Sequence, residues 1–144
     1  MIKYLFKITL TLTLTFIIIP NLLLANTQFL QDGINLFKNK KFEQAKFKFE
    51  QDIVFNPKSE LSYLYLSKIF KNLKKLDLEE KNLKTVILLN PKNEEAIYNL
   101  ARLKLDSSDY EKSKELNDRL NSLCNKFCVK SEKLEIEIKN LSKK

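Results

Sequence analysis

The tripeptide Asn56-Pro57-Lys58 returns as Asn90-Pro91-Lys92, so the same stop stands twice in the chain, 34 residues apart. Proline cannot continue a helix, and it holds the residue before it in extended backbone. Two identical stops at a fixed distance cut the chain into units of equal length. A period of this size marks a repeat architecture. The stretch from Gly33 to Pro57 shows what one unit contains. Gly33 precedes the apolar pair Leu36-Phe37, and the polar run Lys38 to Lys41 follows. Phe42, Ala45 and Phe49 then recur at the three- and four-residue steps of a helix face, and Asn-Pro closes the unit.

Composition sets the secondary structure of those units. A single glycine in 144 residues leaves little material for hairpin turns, which lean on that residue. A glycine-poor chain rich in Lys, Leu and Glu is a helical chain. The same scarcity excludes glycine-rich phosphate loops. With no histidine, the usual general base and the usual zinc ligand are missing. No cofactor, metal site or catalytic residue is therefore expected. The net charge is +8, but only Arg102 and Arg119 among the 26 basic residues are arginines. The lysines are scattered among glutamates, as on solvated helix faces. Nucleic-acid readers favour the planar fork of arginine, so nucleic acid is not an expected partner.

The residue types at these offsets resemble a tetratricopeptide repeat, a helix–turn–helix unit. The resemblance implies an all-α fold of about three repeats, over 26–57, 58–91 and 92–125, and a C-terminal capping helix and tail over 129–144. In repeat one, helices are expected from Thr27 to Asn39 and from Phe42 to Phe55. Gly33 takes the place of the small residue where the paired helices cross, and Ala45 that of the small packing residue. In repeat two, Ser67 replaces the glycine and the turn runs from Asn72 to Lys75. Glu79 stands where the family pattern has alanine, which implies either a looser crossing or a side chain that reaches solvent. In repeat three, Asn93 is the expected helix cap, Ala101 the crossing residue and Ser107-Ser108-Asp109 the turn. Tyr110 opens its second helix, and Ser113 replaces the packing alanine. Leu134, Ile136, Ile138 and Leu141 predict the capping helix over Ser131–Leu141.

Residues 1–25 read as a secretory leader. Lys3 and Lys7 precede an uncharged apolar and threonine run from Ile8 to Ala25, and polar sequence begins at Asn26. Pro20 suits a cut after Ala25. An uncleaved anchor is the alternative, since the run is about long enough to reach across a bilayer. Either way the folded part is expected outside the cytoplasm, exported to the periplasm or cell envelope. The membrane would be touched only through this segment.

Cys124 and Cys128 are the only cysteines. Two cysteines without histidine cannot supply four zinc ligands. In an oxidising compartment a pair this close is expected to form a disulfide. On a regular helix, residues four apart have Cβ atoms about 5–6 Å apart. A disulfide needs about 3.5–4.5 Å. The bridge therefore requires a bend around Asn125 to Phe127, placed between the last repeat and the capping helix.

The resemblance also implies a function. In this family the first helix of each repeat lines a concave groove where peptides or partner proteins bind. The matching positions here are Leu30, Ile34, Leu64, Tyr65, Lys68, Lys71, Tyr98, Asn99 and Arg102. Leucine and tyrosine beside Lys68 and Arg102 would suit a protein segment of acidic character. One subclass clamps a C-terminal carboxylate with lysine and asparagine, but Leu30 and Ile34 occupy those sites in repeat one. The expected function is that of a non-enzymatic, exported scaffold that holds another envelope protein, with no small-molecule substrate. The alternative is an assembly factor tethered by an uncleaved anchor.

Overall fold

The computed structural model describes residues 28–123 and 125–142. The leader expected over residues 1–25 lies outside them, as does Cys124. The fold is all-α, with no strand among the described residues. Helix α1 covers residues 28–38. It is followed by α2 (Phe42–Phe55), α3 (Glu60–Asn72), α4 (Leu76–Leu89), α5 (Glu94–Asp106), α6 (Tyr110–Leu123) and α7 (Cys128–Leu141). The second helices start at Phe42, Leu76 and Tyr110, each 34 residues after the last, and Glu60, Glu94 and Cys128 keep the same step. Helix α7 therefore begins in the register of a fourth first helix, three residues before the start expected at Ser131.

The closing Asn-Pro turn has a physical reason. Asn56 and Asn90 both leave the helical region, at φ −130° and −135°, as proline demands of the residue before it. The Asn90 side chain also accepts from the Lys92 N–H at 3.1 Å, a local turn that asparagine supplies. The turns inside the repeats are equally regular. Lys40, Lys74 and Ser108 all have φ near +60° (59°, 56° and 61°). In each case the next N–H reaches back five residues: Lys41 to Leu36, Lys75 to Phe70 and Asp109 to Lys104, at 3.0, 2.9 and 2.9 Å. This is the left-handed helix stop that glycine usually fills. None of the three positions is glycine, so Lys74→Gly is expected to stabilise the fold by about 0.5–1 kcal/mol. A urea melt of the variant beside the parent checks this.

The chain divides into two compact units between Pro57 and Lys58. In the first, α1 and α2 pair closely. A Cβ on Gly33 would lie 2.7 Å from the Phe49 ring, so only glycine allows this approach. Phe29 stacks on Phe55 at 5.5 Å, and Phe37 meets Phe42 at 5.4 Å. Leu30 and Ile34 are half-buried. Asp32, Asn35 and Lys48 occupy the positions that hold buried Leu66, Ile69 and Asn82 in the next repeat. In the repeat after that the same positions hold Leu100, Leu103 and Leu116, also buried. Asp32 and Lys48 pair at 3.8 Å. Repeat one thus carries polar residues where later repeats carry core, as an end repeat needs.

In the second unit one cluster, including Leu64, Leu83, Ile97, Leu100, Leu120 and Leu134, joins α3 through α7. Ser113 is buried and donates to the Ala101 carbonyl at 2.9 Å, so the hydroxyl that replaces alanine is satisfied. Helix α7 is held to α6 by a buried polar network. The Ser131 hydroxyl lies 2.8 Å from Asn117 Oδ1, and Asn117 Nδ2 donates to the Ser131 carbonyl at 3.1 Å.

Of the two outcomes that its position implies, Glu79 does not take the one that reaches solvent, because only 3 % of its surface is exposed. Burial pushes its carboxyl above the usual range; the charge of Lys71 opposes that shift and Asp106 adds to it. A raised carboxyl binds its proton more tightly in the folded state than in the unfolded one. The contribution to stability is therefore greatest below about pH 4.5 and is lost as pH rises through the folded pKa. Glu79→Gln should be more stable than the parent at neutral pH, with the advantage fading in acid. Urea melts from about pH 4 to about pH 8 read this directly.

Candidate partner-binding face

The second unit carries Leu64, Tyr65, Lys68 and Lys71 on α3, and Tyr98, Asn99 and Arg102 on α5. Their shared period follows from the repeat: Leu64, Tyr65 and Lys68 stand in the register of Tyr98, Asn99 and Arg102. Lys68 Nζ lies 2.8 Å from the Glu95 carboxylate and 4.9 Å from the Tyr65 ring centre, so it ties α3 to α5. Arg102 pairs with Glu137 of α7 and lies 3.4 Å from Asp106. Burial alone would lower the Arg102 pKa, but the hydrogen bond and charge of Glu137, with Asp106, hold it above the usual value. The Tyr98 ring packs on Phe127 at 5.5 Å, and Lys130 lies over both rings at 5.5 and 4.4 Å. Asn99 is half-buried.

Two of the expected residues fall elsewhere. Leu64 is 4 % exposed and belongs to the core cluster that it shares with residues of α4 and α5. Lys71 is exposed in the last turn of α3, and its charge acts on Glu79 of α4. Three residues join the accessible set instead. Leu61, Val129 and Ile136 are 47 %, 63 % and 60 % exposed. Leu61 and Val129 share the register of Glu95, and Ile136 shares that of Lys68 and Arg102. The repeat period, carried on into residues 128–141, was the signal that could have found them.

Two carboxylates fix the edge of this face. Glu60, first in α3, accepts from Asn90 Nδ2 at 3.0 and 3.1 Å and from Asn93 Nδ2. Asn93 in turn caps α5 by accepting from the Ala96 N–H at 2.8 Å, as its sequence position predicts. Glu94, first in α5, accepts from the N–H groups of Lys126 and Phe127, each at 2.8 Å. Burial would raise the Glu94 carboxyl, but the N–H groups of Phe127, Lys126 and Asn125 and the charge of Lys126 hold it below the usual range. Each carboxylate thus holds the turn that leads into the next first helix. Residues 125–127 are bent, as the cysteine spacing requires. The Cys124–Cys128 pair itself rests on a residue outside those described.

Beside these carboxylates lies a hollow of about 350 Å³ lined by Leu61, Leu64, Phe127 and the turn residues Lys92 to Glu95 and Asn125 to Lys126. Among the described residues, no cluster of acidic, cysteine or histidine side chains could hold a metal ion, and no helix is long and apolar enough to cross a membrane.

No protein-family model matches the sequence, and no curated protein matches it. Solved structures do resemble it. The first TPR of Spaghetti (RPAP3), bound to the HSP90 peptide SRMEEVD, is 18 % identical; the match covers 82 % of this chain and 90 % of that one, with a TM-score of 0.69. The Yersinia enterocolitica type III secretion chaperone SycD, in complex with a peptide of the translocator YopD, is 16 % identical over 81 % of this chain and 91 % of that one, with a TM-score of 0.72. The TPR2B domain of yeast Sti1, in a pHsp70 complex, is 12 % identical over 80 % of this chain and 96 % of that one, with a TM-score of 0.74. At these identities the likeness is one of fold.

Proposed function

We propose that this chain, a tetratricopeptide-repeat fold, is a non-catalytic interaction module that holds a segment of another protein on the face formed by α3, α5 and α7. The observation that carries the reading is the alignment of Tyr65 and Lys68 with Asn99 and Arg102 at one repeat position each, partly exposed and joined across helices by the Lys68–Glu95 pair. Side chains already held in place lose little freedom when a partner arrives. The peptide-bound RPAP3 and SycD domains of the same fold support a peptide or protein as the ligand class. The excess of lysine over acid favours a segment of acidic character.

The chain works outside the cytoplasm in this reading, released from the leader over residues 1–25 into the periplasm or envelope. There a Cys124–Cys128 disulfide fixes α7 against the last repeat, and the bend at residues 125–127 supports that bridge. Mass measurement of the mature, unreduced chain tests both points. A mass that retains residues 1–25 contradicts cleavage, and two reactive thiols contradict the bridge.

The binding reading is tested by recovering the tagged chain from its native envelope and comparing the co-purified proteins. Tyr65→Ala with Asn99→Glu should lower recovery of a specific partner about tenfold, the size expected when a contact centre is lost. Lys84→Ala, on the exposed side of α4, should leave recovery unchanged. Equal recovery from all three forms contradicts the reading.

A further inference from the structure

We infer that the hollow between the turns at Lys92–Glu95 and Asn125–Phe127 is an anchor site for one large apolar side chain of a partner segment, with an acidic residue beside it. This rests on the partner-binding reading and adds a second subsite at the edge of the face. Three observations point to it.

The first is what fills the cap position of α7. Ser59 and Asn93 precede α3 and α5; the residue in their register before α7 is Phe127. Asn93 caps its helix through its side chain, whereas Ser59 and Phe127 make no capping hydrogen bond. The turn before α7 is held from another helix instead, where Glu94 accepts from the N–H groups of Lys126 and Phe127, each at 2.8 Å. A ring that cannot cap is thereby kept at the wall of the hollow, steadied by Tyr98 at 5.5 Å and by Lys130.

The second is the lining. Leu61, which lies half in solvent, lines the hollow together with Leu64 and Phe127, so it offers apolar surface to a side chain from outside. About 350 Å³ accepts one large side chain and part of its neighbour.

The third is the state of the charges. Both acids at the rim are committed, Glu94 to backbone N–H groups and Glu95 to Lys68 at 2.8 Å. Lys92 and Lys126, which share one repeat position, are exposed at the same rim, and neither forms an ion pair among the described residues. Lys126 already acts on the Glu94 carboxylate, so the charge left over at the rim is that of Lys92. It complements a carboxylate carried next to the apolar anchor.

The test uses a defined probe, an acetylated and amidated peptide holding one phenylalanine followed by one aspartate among serines. It is titrated into the labelled chain while amide resonances are followed by NMR. The expected result is a set of shifts centred on Leu61, Glu94, Lys126 and Phe127. Replacing the peptide's phenylalanine by alanine or its aspartate by lysine should weaken binding about tenfold. Leu61→Asp and Lys92→Ala with Lys126→Ala should do the same from the protein's side. These are exposed positions, so the fold persists. Shifts at Tyr65, Asn99 and Arg102 without shifts at the hollow overturn the anchor site and leave the broader face standing. Shifts that survive both peptide changes, or no shifts at millimolar peptide, also overturn it. The partner-recovery experiment decides the broader reading separately.

Discussion

Leu134→Ala is expected to destabilise the second unit by about 2–5 kcal/mol, the largest single effect among the substitutions considered. Leu134 is 1 % exposed and lies in the cluster shared by α5, α6 and α7. Truncation removes apolar area and leaves a cavity that packed helices cannot collapse to fill. The loss should not stay local. Helix α7 brings Glu137 to Arg102, Phe127 to Tyr98 and Ser131 to Asn117. When it loosens, the proposed face loses one of its three helices. Urea unfolding followed by circular dichroism gives the stability, and amide exchange of α7 shows where the opening lies. Exchange of α7 no faster than in the parent would contradict its place in the core.

Gly33→Val is the second large effect, with an expected cost of about 1–3 kcal/mol from overpacking. The Cβ alone would approach the Phe49 ring carbons at 2.7 to 3.0 Å, and the ring is fully buried, so it has nowhere to move. The two extra methyl groups of valine worsen the clash. Reducing Phe49 should relieve it, which a double-mutant cycle can isolate. Gly33→Val placed on Phe49→Leu should cost clearly less than the same change on the parent. Costs that simply add would mean that the crossing of α1 and α2 is not what requires glycine.

These two residues show what could be read from the sequence and what could not. Gly33 was legible because a small residue at a repeat's crossing position has one packing role. The helix limits were legible because proline and the left-handed turns stop the helices at a fixed step. The start of α7 was marked only by the 34-residue step from Glu94, since Phe127 is no helix cap and the acceptor for its N–H, Glu94, lies 33 residues earlier. Glu79 was misleading for a similar reason, since an acid at a packing position suggests solvent until neighbouring helices close over it. Lys68 and Arg102 were found as cations on a face. Their partners, Glu95 and Glu137, come from other helices, so the sequence displayed the charge without its neutralisation. Leu61, Val129 and Ile136 needed only the repeat period to be followed to the end of the chain.

The central claim is that α3, α5 and α7 present the surface that meets a partner. In-cell photo-crosslinking measures it most directly, with the probe placed at Tyr65, at Asn99 and, as a control, at Lys84 on the exposed side of α4. A discrete adduct from Tyr65 and Asn99, absent from Lys84, is the predicted result, and mass spectrometry of that adduct names the partner. Equal adducts from Lys84, or none from any position, would contradict the account.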